Sequence, residues 1–358
     1  MMIENNQLVE NNRIAYIDIA KGIGILFVML GHCLYSEVSP IRLLIYSFHM
    51  PLFFVLSGMT YKTCACKKLK DTISNSIRRK KFLFAVYIIF SCVFICRDFI
   101  RWHYEKIFNL KQLIYCIYST LILDGINVLW FIGTLISVEL LYDLLRWKFS
   151  DDYKKQFTSS LVISLVATLL YLTVTPILTN RFILAPMHSV FRPASLLIFF
   201  TIGSSLKKLI YKPSIYAKRC NTTNYIIAVL ILIIMGLLGV SNGFVDVHNM
   251  IWGHTWIISY FVATSLSLDL IWISRKLESF SIICKFCSYL GKNSLFIMIT
   301  HNYLGVKDIS EKISELCLGT NEHKDYLTFF IMLIIELILV KLIGEKVMDK
   351  IKKRCKNS

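Results

Sequence analysis

Long apolar runs alternate with short polar, often basic, segments along the whole chain. A run of about 20 apolar residues is what an α-helix needs to cross the hydrocarbon core of a bilayer. Ten such runs predict ten transmembrane helices, centred near residues 26, 52, 90, 137, 166, 201, 232, 263, 297 and 334. The amphipathic stretch 105–125 predicts a further segment that lies at the interface or re-enters the bilayer. The pattern predicts an all-α, polytopic integral membrane protein.

The same pattern divides the chain into three predicted parts. These are a polar N-terminal tail (1–13), a transmembrane domain (14–343) and a basic C-terminal tail (344–358). The polar start is not followed by a signal-peptide cleavage pattern, so we expect the first span to be retained. Composition agrees, because 56% hydrophobic and 18% charged residues over 358 positions are too apolar for a soluble domain of this length. We expect the 11 scattered cysteines to be reduced thiols.

Charge distribution predicts the orientation of the spans. Of the 40 Lys and Arg residues, 28 fall in the N-terminus, in alternate loops and in the C-terminus, whereas 10 fall in the intervening loops. Cytoplasmic segments of membrane proteins carry the excess of Lys and Arg. Both termini are therefore predicted to be cytoplasmic. The net charge of +17 is explained by topology and does not indicate nucleic-acid binding.

Charged and titratable groups form one stripe on the first predicted span. Lys21 and His32 are eleven residues apart, which returns them to within about 20° of the same helix face, and Asp18 lies near both. Such groups are costly in hydrocarbon, so the stripe is expected to face the bundle interior or a water-filled cavity. The alternative is an Asp–Lys pair near the interface together with a purely structural histidine.

Two other predicted spans place a histidine at a depth comparable to that of His32. His49 lies near the outer end of the second span, and His301 lies near the outer end of the ninth. Imidazole is the side chain whose proton moves near neutral pH, which makes three such groups candidates for proton transfer. The three histidines come from separate helices without local ligand spacing, so a metal site is not predicted.

Several segments resemble the integral-membrane acyltransferase-3 family, and within it the fucose 4-O-acetylase-like proteins that acetylate surface carbohydrates. The family marker is a basic residue, ten intervening positions and a histidine in the first span, and Lys21 and His32 have this spacing. The other matching segments are, in chain order, "FHMPLFFVLSGMTYK", "LWFIGTL", the looser "SNGFVDVHN" and "LGKNSLFIMITH". The resemblance therefore covers nearly the whole chain, from residue 13 to residue 301.

The resemblance implies a multi-pass protein of a bacterial cell membrane. It also implies transfer of an acyl group, usually acetyl, from cytoplasmic acetyl-CoA to a hydroxyl of a surface or lipid-linked carbohydrate. The expected partners are acetyl-CoA, the carbohydrate acceptor and the lipid bilayer. Neither a permanently bound cofactor nor a metal is expected.

Residue roles follow from this implied reaction. The expected anchors for the polyanionic donor are Lys21 with its neighbour Asp18, and Arg78 and Arg79 after the second span. The acceptor hydroxyl needs a positioned base, and His32 is the candidate. The candidates for orienting the base, binding the acceptor or stabilising the oxyanion are His301 and His49.

Acceptor contacts are expected from polar residues on other segments: Ser57, Ser294, Asn242 and Arg192. For Arg192 the alternative is a loop or interface charge. Trp130 and Phe131, at the start of the fourth span, are predicted to be interfacial anchors, with ligand contacts as the alternative. The rival function is a carrier or flippase that uses the same polar stripe for transport. The motifs of the first two spans favour the acyltransferase. A membrane sensor or assembly subunit, a third alternative, would require that His32 be dispensable.

Overall fold

Helices occupy all ten positions at which the apolar runs predict spans. The computed structural model describes residues 14–36, 38–62, 68–150, 152–210, 222–319 and 323–357. Its helices are α1 Ala15–Cys33, α2 Pro40–Thr60, α3 Leu69–Arg79, α4 Lys81–Tyr104, α5 Leu110–Leu121, α6 Trp130–Phe149, α7 Tyr153–Val174, α8 Arg181–Ile210, α9 Thr222–Ser241, α10 Trp256–Leu277, α11 Ser281–Lys292, α12 Ser294–Thr300, α13 Val306–Leu318, α14 Lys324–Leu339 and α15 Glu345–Asn357. A short hairpin pairs β1 Val245–Asp246 antiparallel with β2 Ile251–Trp252.

The prediction of an all-α polytopic membrane protein is confirmed. In the described part of the chain, eight helical segments are long and apolar enough to cross a membrane. The pair α11–α12, bent by 61°, makes a ninth if it is counted as one span. The tenth predicted position is filled by α9, whose described apolar part, Ile226–Ser241, is shorter. The amphipathic stretch 105–125 contains α5, whose 12 residues are too few to span a bilayer.

The outer faces of the helices suit lipid. Along α9, Ile226, Leu230 and Ile234 follow one another at one-turn spacing, and each side chain is about half exposed. Exposing such a continuous apolar surface to water would be unfavourable, whereas contact with the hydrocarbon tails of lipids has no such cost. Polar groups instead gather inside the bundle and at its two ends.

The two ends of the bundle differ in character. We call one the basic end, where α3, the turn after α6, the start of α11 and helix α15 lie. The other is the hairpin end, which carries α5, the β-hairpin and α13. Helix α14 continues through a π-helical segment, Val340–Gly344, into α15. The predicted boundary at 343–344 therefore falls inside a continuous helix.

Two glycines of the matching motifs permit close helix packing. A Cβ on Gly291 of α11 would lie 1.8 Å from the backbone oxygen of Asp18 on α1, and a Cβ on Gly58 of α2 would lie 2.1 Å from that of Phe200 on α8. Any larger side chain would push the backbones apart, which is why small residues mark membrane helix contacts. These contacts fix α1 against α11, and so fix the polar stripe of α1 relative to the ninth span.

Candidate active site

A cavity of about 340 Å³ opens at the hairpin end between five segments of the chain. Four of the eight histidines line it: His32 from α1, His49 from α2, His248 from the hairpin and His301 from the turn that follows α12. The other polar and aromatic lining residues are Arg42, Tyr46, Asn127, Trp130, Phe131, Phe244, Asp246 and Asn302. The fold thus brings together the three histidines that the sequence places at similar depths.

The histidine rings form a row along the cavity wall. The ring centroids of His301 and His32 are 5.1 Å apart, those of His32 and Tyr46 are 6.4 Å apart, and those of Tyr46 and His49 are 5.0 Å apart. His301 is fully buried and His49 nearly so, whereas His32 is half-buried. A small molecule in the cavity would meet several imidazoles at once.

Backbone hydrogen bonds determine the tautomer of two of these histidines. Nδ1 of His49 lies 2.8 Å from the carbonyl oxygen of Ile45, and Nδ1 of His301 lies 2.9 Å from that of Ile297. A carbonyl can only accept, so Nδ1 carries the proton and Nε2 carries the lone pair in each neutral ring. Among the described residues, Nε2 of His301 has no hydrogen-bond partner. It is a buried base with its lone pair unused.

The hairpin loop, which we define as residues 242–255, covers the cavity through two aromatic contacts. The Phe244 ring lies 5.1 Å from the Tyr46 ring, and the His248 ring stacks on Trp130 at 5.3 Å with an interplanar angle of 17°. Burial, together with the nearby charge of Arg192, lowers the pKa of His248 to about 3. This imidazole is therefore neutral near pH 7 and can donate or accept a hydrogen bond.

Asn242 holds the hairpin loop in place. Its Nδ2 donates to the hydroxyl of Ser259 (2.8 Å) and to the carbonyl of Trp252 (3.3 Å), while its Oδ1 accepts from the backbone N–H of Thr255 (2.9 Å). The side chain is buried. Asn242 was predicted to contact the acceptor, and its position is instead that of a residue that shapes the loop behind the cavity wall.

Trp130 is part of the cavity wall, so the prediction of an interfacial anchor is wrong. Its side chain is buried, with the His248 ring stacked on it and Arg192 beside it. The guanidinium carbon of Arg192 lies 5.2 Å from the centroid of the Trp130 ring. Arg192 is fully buried and pairs with Asp124 at 3.0 Å, and His188 lies 3.7 Å from the same carboxylate. Arg192 was predicted as an acceptor contact but lies one layer behind the wall, where it supports Trp130.

A second cavity, of about 400 Å³, lies at the basic end. Its polar lining residues are Ser57, Thr60, Tyr61, Lys62, Arg79 and Glu139. Ser57, predicted as an acceptor contact, therefore shares a cavity with the predicted donor anchor Arg79. The two cavities belong to opposite ends of the bundle.

One buried carboxylate organises this basic end. Asp143 of α6 accepts hydrogen bonds from four side chains of the segment 61–80: Tyr61 (2.5 Å), Ser76 (2.6 Å), Arg79 (3.0 Å) and Lys80 (3.1 Å). Lys80 also pairs with Glu139 at 3.7 Å, so two carboxylates balance Arg79 and Lys80. Lys62 adds a further cation to the cavity lining, which favours an anionic ligand.

The remaining predicted residues lie apart from the histidine cavity. Asp18 and Lys21 are half-buried on α1 toward the basic end, and Arg78 is exposed on α3. The Ser294 hydroxyl donates to the carbonyl of Gly291 (2.9 Å) at the bend between α11 and α12. Ser294 thus stabilises the bend. Among the described residues, no group of three or more His, Cys, Asp or Glu side chains could hold a metal ion.

Several cavity residues were not singled out by sequence reasoning. Asp246 and His248 lie inside the quoted segment "SNGFVDVHN", so that segment held a usable signal. Arg42, Tyr46 and Asn127 carried none, because they lie at a helix start, on an apolar helix and in a connecting turn. Their contribution depends on which segments meet at the hairpin end.

The fold and this cavity define a multi-pass membrane protein with a polar, histidine-lined chamber. Residues 14–339 match the family model described as "Acyltransferase domain", that of the acyltransferase-3 family. The match covers most of the chain, so the chain belongs to this family of membrane acyltransferases. Comparison with curated proteins and with solved structures gave no match.

Proposed function

We propose that the protein is an O-acetyltransferase that moves an acetyl group from acetyl-CoA to a hydroxyl of a surface or lipid-linked carbohydrate. The observation that carries this proposal is the convergence of His32, His49 and His301 on one cavity, with the His32 and His301 rings 5.1 Å apart. An alcohol is a weak nucleophile until a positioned base removes its proton, and imidazole is suited to that task at neutral pH.

The chemistry is written with His32 as the base and His301 as its neighbour. The acceptor oxygen attacks the thioester carbonyl, and its proton passes to an imidazole nitrogen. The new C–O bond forms as the C–S bond breaks, and the proton then goes from the imidazolium to the CoA thiolate. The fixed Nδ1–H tautomer of His301 leaves Nε2 available to receive or relay that proton. His49, held in the same way, presents the lone pair of Nε2 and is proposed to orient the acceptor by accepting a hydrogen bond from one of its hydroxyls.

The donor is proposed to enter from the basic end, which would then face the cytoplasm. Acetyl-CoA is polyanionic, and Arg79, Lys62 and the nearby Lys80 offer cations around the 400 Å³ cavity. Lys21 lies on α1 between this end and His32, about 16 Å below the histidine along the helix axis. It is proposed to contact the donor along the path to the histidines.

The acceptor is proposed to enter from the hairpin end, which would lie outside the cell membrane. Support comes from the hairpin loop, which forms one wall of the histidine cavity at that end. The resemblance to fucose 4-O-acetylase-like proteins favours a glycan acceptor, and the protein is proposed to belong to that branch.

The test is donor turnover by the full chain in lipid nanodiscs. Acetyl-CoA is supplied with a surface-glycan extract, and CoA release is followed for wild type, His32→Ala and the control His103→Ala. His103 is an exposed histidine of α4 that does not line the cavity. We expect acceptor-dependent release in the wild type and in His103→Ala, and a loss of about 10²-fold or more in His32→Ala.

Two results would contradict this proposal. Wild-type turnover that survives in His32→Ala would remove the histidine from the chemistry. No turnover and no acetyl-CoA binding, with an extract that another acetyltransferase accepts, would favour a carrier.

A further inference from the structure

Arg42 lies at the rim of the histidine cavity in an aromatic sandwich. Its guanidinium carbon is 5.2 Å from the centroid of the Tyr46 ring and 5.3 Å from that of the Phe244 ring. Nη1 donates to the carbonyl oxygen of Tyr35 at 2.9 Å. These contacts fix the plane of the guanidinium against the cavity that His32 and His301 share with it. Arg42 is therefore held rigidly, unlike a solvated surface arginine.

The positive charge of Arg42 lacks a counter-ion among the described residues. No carboxylate of the described chain lies within ion-pair distance of it. Three other arginines at this end of the bundle do have such partners, which are Asp98, Asp124 and Asp308. Nε of Arg42 is buried and has no acceptor in the described part of the chain. A buried N–H without an acceptor is destabilising, and a guanidinium normally meets an oxyanion through two parallel N–H bonds.

Among the described residues, one carboxylate lines the same cavity, and it is already engaged. Asp246 accepts from the backbone N–H of His248 (3.0 Å) and from Nδ2 of Asn249 (2.6 Å), which are hydrogen bonds within the hairpin loop. It forms no ion pair with Arg42. The described residues therefore offer Arg42 no oxyanion, whereas a molecule that enters the cavity can supply one.

We propose that Arg42 binds an acidic group of the acceptor, either a carboxylate or a phosphate. The cavity is small, so this group lies on the same sugar as the acylated hydroxyl or on its neighbour. The inference rests on the proposed function in treating the cavity as an acceptor site. It narrows the acceptor from carbohydrates in general to acidic glycans.

The test measures binding in the absence of acetyl-CoA. Glycans are released from cells that make this protein, tagged at the reducing end with a fluorophore and separated by anion exchange into neutral and acidic fractions. Fluorescence anisotropy then reports their binding to the full chain in nanodiscs of zwitterionic lipid. We expect the wild type to bind the acidic fraction at least about tenfold more tightly than the neutral fraction, since charge-assisted hydrogen bonds are the stronger kind.

The matched control is Arg181, another guanidinium that lies over two aromatic rings but away from the cavity. Its carbon is 4.6 Å from the Tyr115 ring and 5.7 Å from the Phe182 ring. Arg42→Ala is expected to abolish the preference for the acidic fraction, and Arg181→Ala is expected to retain it. Arg42→Lys, which keeps the charge but not the bidentate geometry, is expected to retain part of it.

Chemical treatment of the acidic fraction identifies the acidic group. Carbodiimide activation followed by borohydride reduces carboxylates, and hydrofluoric acid removes phosphates. The treatment that lowers the affinity therefore shows whether the acidic group is a carboxylate or a phosphate. Equal wild-type affinity for neutral and acidic fractions would overturn the inference, even if Arg42→Ala fails to fold. A preference that survives in Arg42→Ala would also overturn it. If the wild type prefers the acidic fraction but releases no CoA in the turnover assay, only the transferase proposal is contradicted.

Discussion

Among the cavity residues, the histidines differ in how firmly their rings are held. His49 and His301 each donate Nδ1–H to a carbonyl one helical turn earlier, so their tautomers are fixed by the backbone. His32 is half-buried and faces His301 across 5.1 Å. A base that takes up a proton and then returns it benefits from neighbouring imidazoles whose tautomers are fixed. The division of roles proposed for the three histidines follows from this difference.

The buried Asp124–Arg192 pair gives a prediction at the level of single residues. In Asp124→Asn, the fully buried guanidinium of Arg192 loses its counter-ion. Removing one partner of a buried pair costs about 3–5 kcal/mol, so we expect a clear loss of stability. The measurement is the thermal unfolding midpoint of the purified protein, with Lys155→Met as the control, because Lys155 and Asp152 form an exposed pair at 3.3 Å.

The same variant separates the two interpretations of Arg192. If this arginine bound the acceptor directly, Asp124→Asn would lower the midpoint and also change acceptor affinity, while leaving the fluorescence of Trp130 unchanged. A lowered midpoint, together with altered packing of Trp130 seen as a shift in tryptophan fluorescence, agrees with a supporting role behind the wall.

How much of the site could be predicted depended on whether the depth of a residue along a span was enough to place it. His32, His49 and His301 were predictable because hydropathy gives the depth of each position along a span. The full burial of Arg192 could not be predicted, because its sequence position beside Pro193 gives no information on burial. Trp130 was misassigned because an aromatic residue at a span end is commonly an interfacial anchor, and only tertiary contacts place it between His248 and Arg192.

At the scale of elements, the hairpin loop is the least regular part of the cavity wall. Two residue pairs form the whole of its β-ladder, so its position depends on side chains. Asn242 satisfies three groups of the loop and its flanking helix at once. Phe244 and His248 then reach across to Tyr46 and Trp130.

Asn242→Ala is therefore expected to loosen the loop and to weaken acceptor binding. Asn242→Ala leaves the partly buried backbone N–H of Thr255 without its acceptor, which costs about 1–3 kcal/mol, whereas the Trp252 carbonyl keeps its bond from Ser259. We expect faster amide exchange over residues 243–255 and a higher KM for the acceptor, with little change in the KM for acetyl-CoA. Ser241→Ala is the neighbouring control, because the Ser241 hydroxyl bonds only the carbonyl of Leu238 in its own helix. Unchanged exchange in Asn242→Ala would contradict this role.

Element positions followed from hydropathy, but element shape did not. The centre predicted near residue 297 coincides with the α11–α12 segment, yet that segment bends by 61°. The sequence does show two polar residues at the bend, Asn293 and Ser294. The Ser294 hydroxyl stabilises the bend because it donates a hydrogen bond to the Gly291 carbonyl. A bend of this size depends on the close α1–α11 contact at Gly291, which a sequence pattern does not report.

For the whole molecule, the central feature is the separation of two cavities at opposite ends of the bundle. One is lined by histidines and an arginine, and the other adjoins Arg79 and Lys80. The proposed reaction needs the donor and the acceptor to approach from different sides of the membrane. Orientation therefore decides whether the arrangement serves that reaction.

Native cysteines offer a direct test of orientation. Cys317 is exposed on α13 at the hairpin end, and Cys284 is partly exposed on α11 at the basic end. With both termini in the cytoplasm, a membrane-impermeant maleimide is expected to label Cys317 in intact cells and Cys284 only after permeabilisation. Peptide mass spectrometry reads both sites, and Cys317→Ser is the control. Labelling of Cys284 in intact cells, with Cys317 protected, would reverse the orientation.

The position of the histidine cavity at the hairpin end has a pharmacological consequence. With that end outside the cell, a compound that fills the 340 Å³ chamber reaches its target without crossing the lipid bilayer. Neither slow uptake nor active export would then limit its potency. Such an inhibitor could carry an acidic group that binds Arg42. An acidic group hinders passive entry into a cell, but this inhibitor would not need to enter.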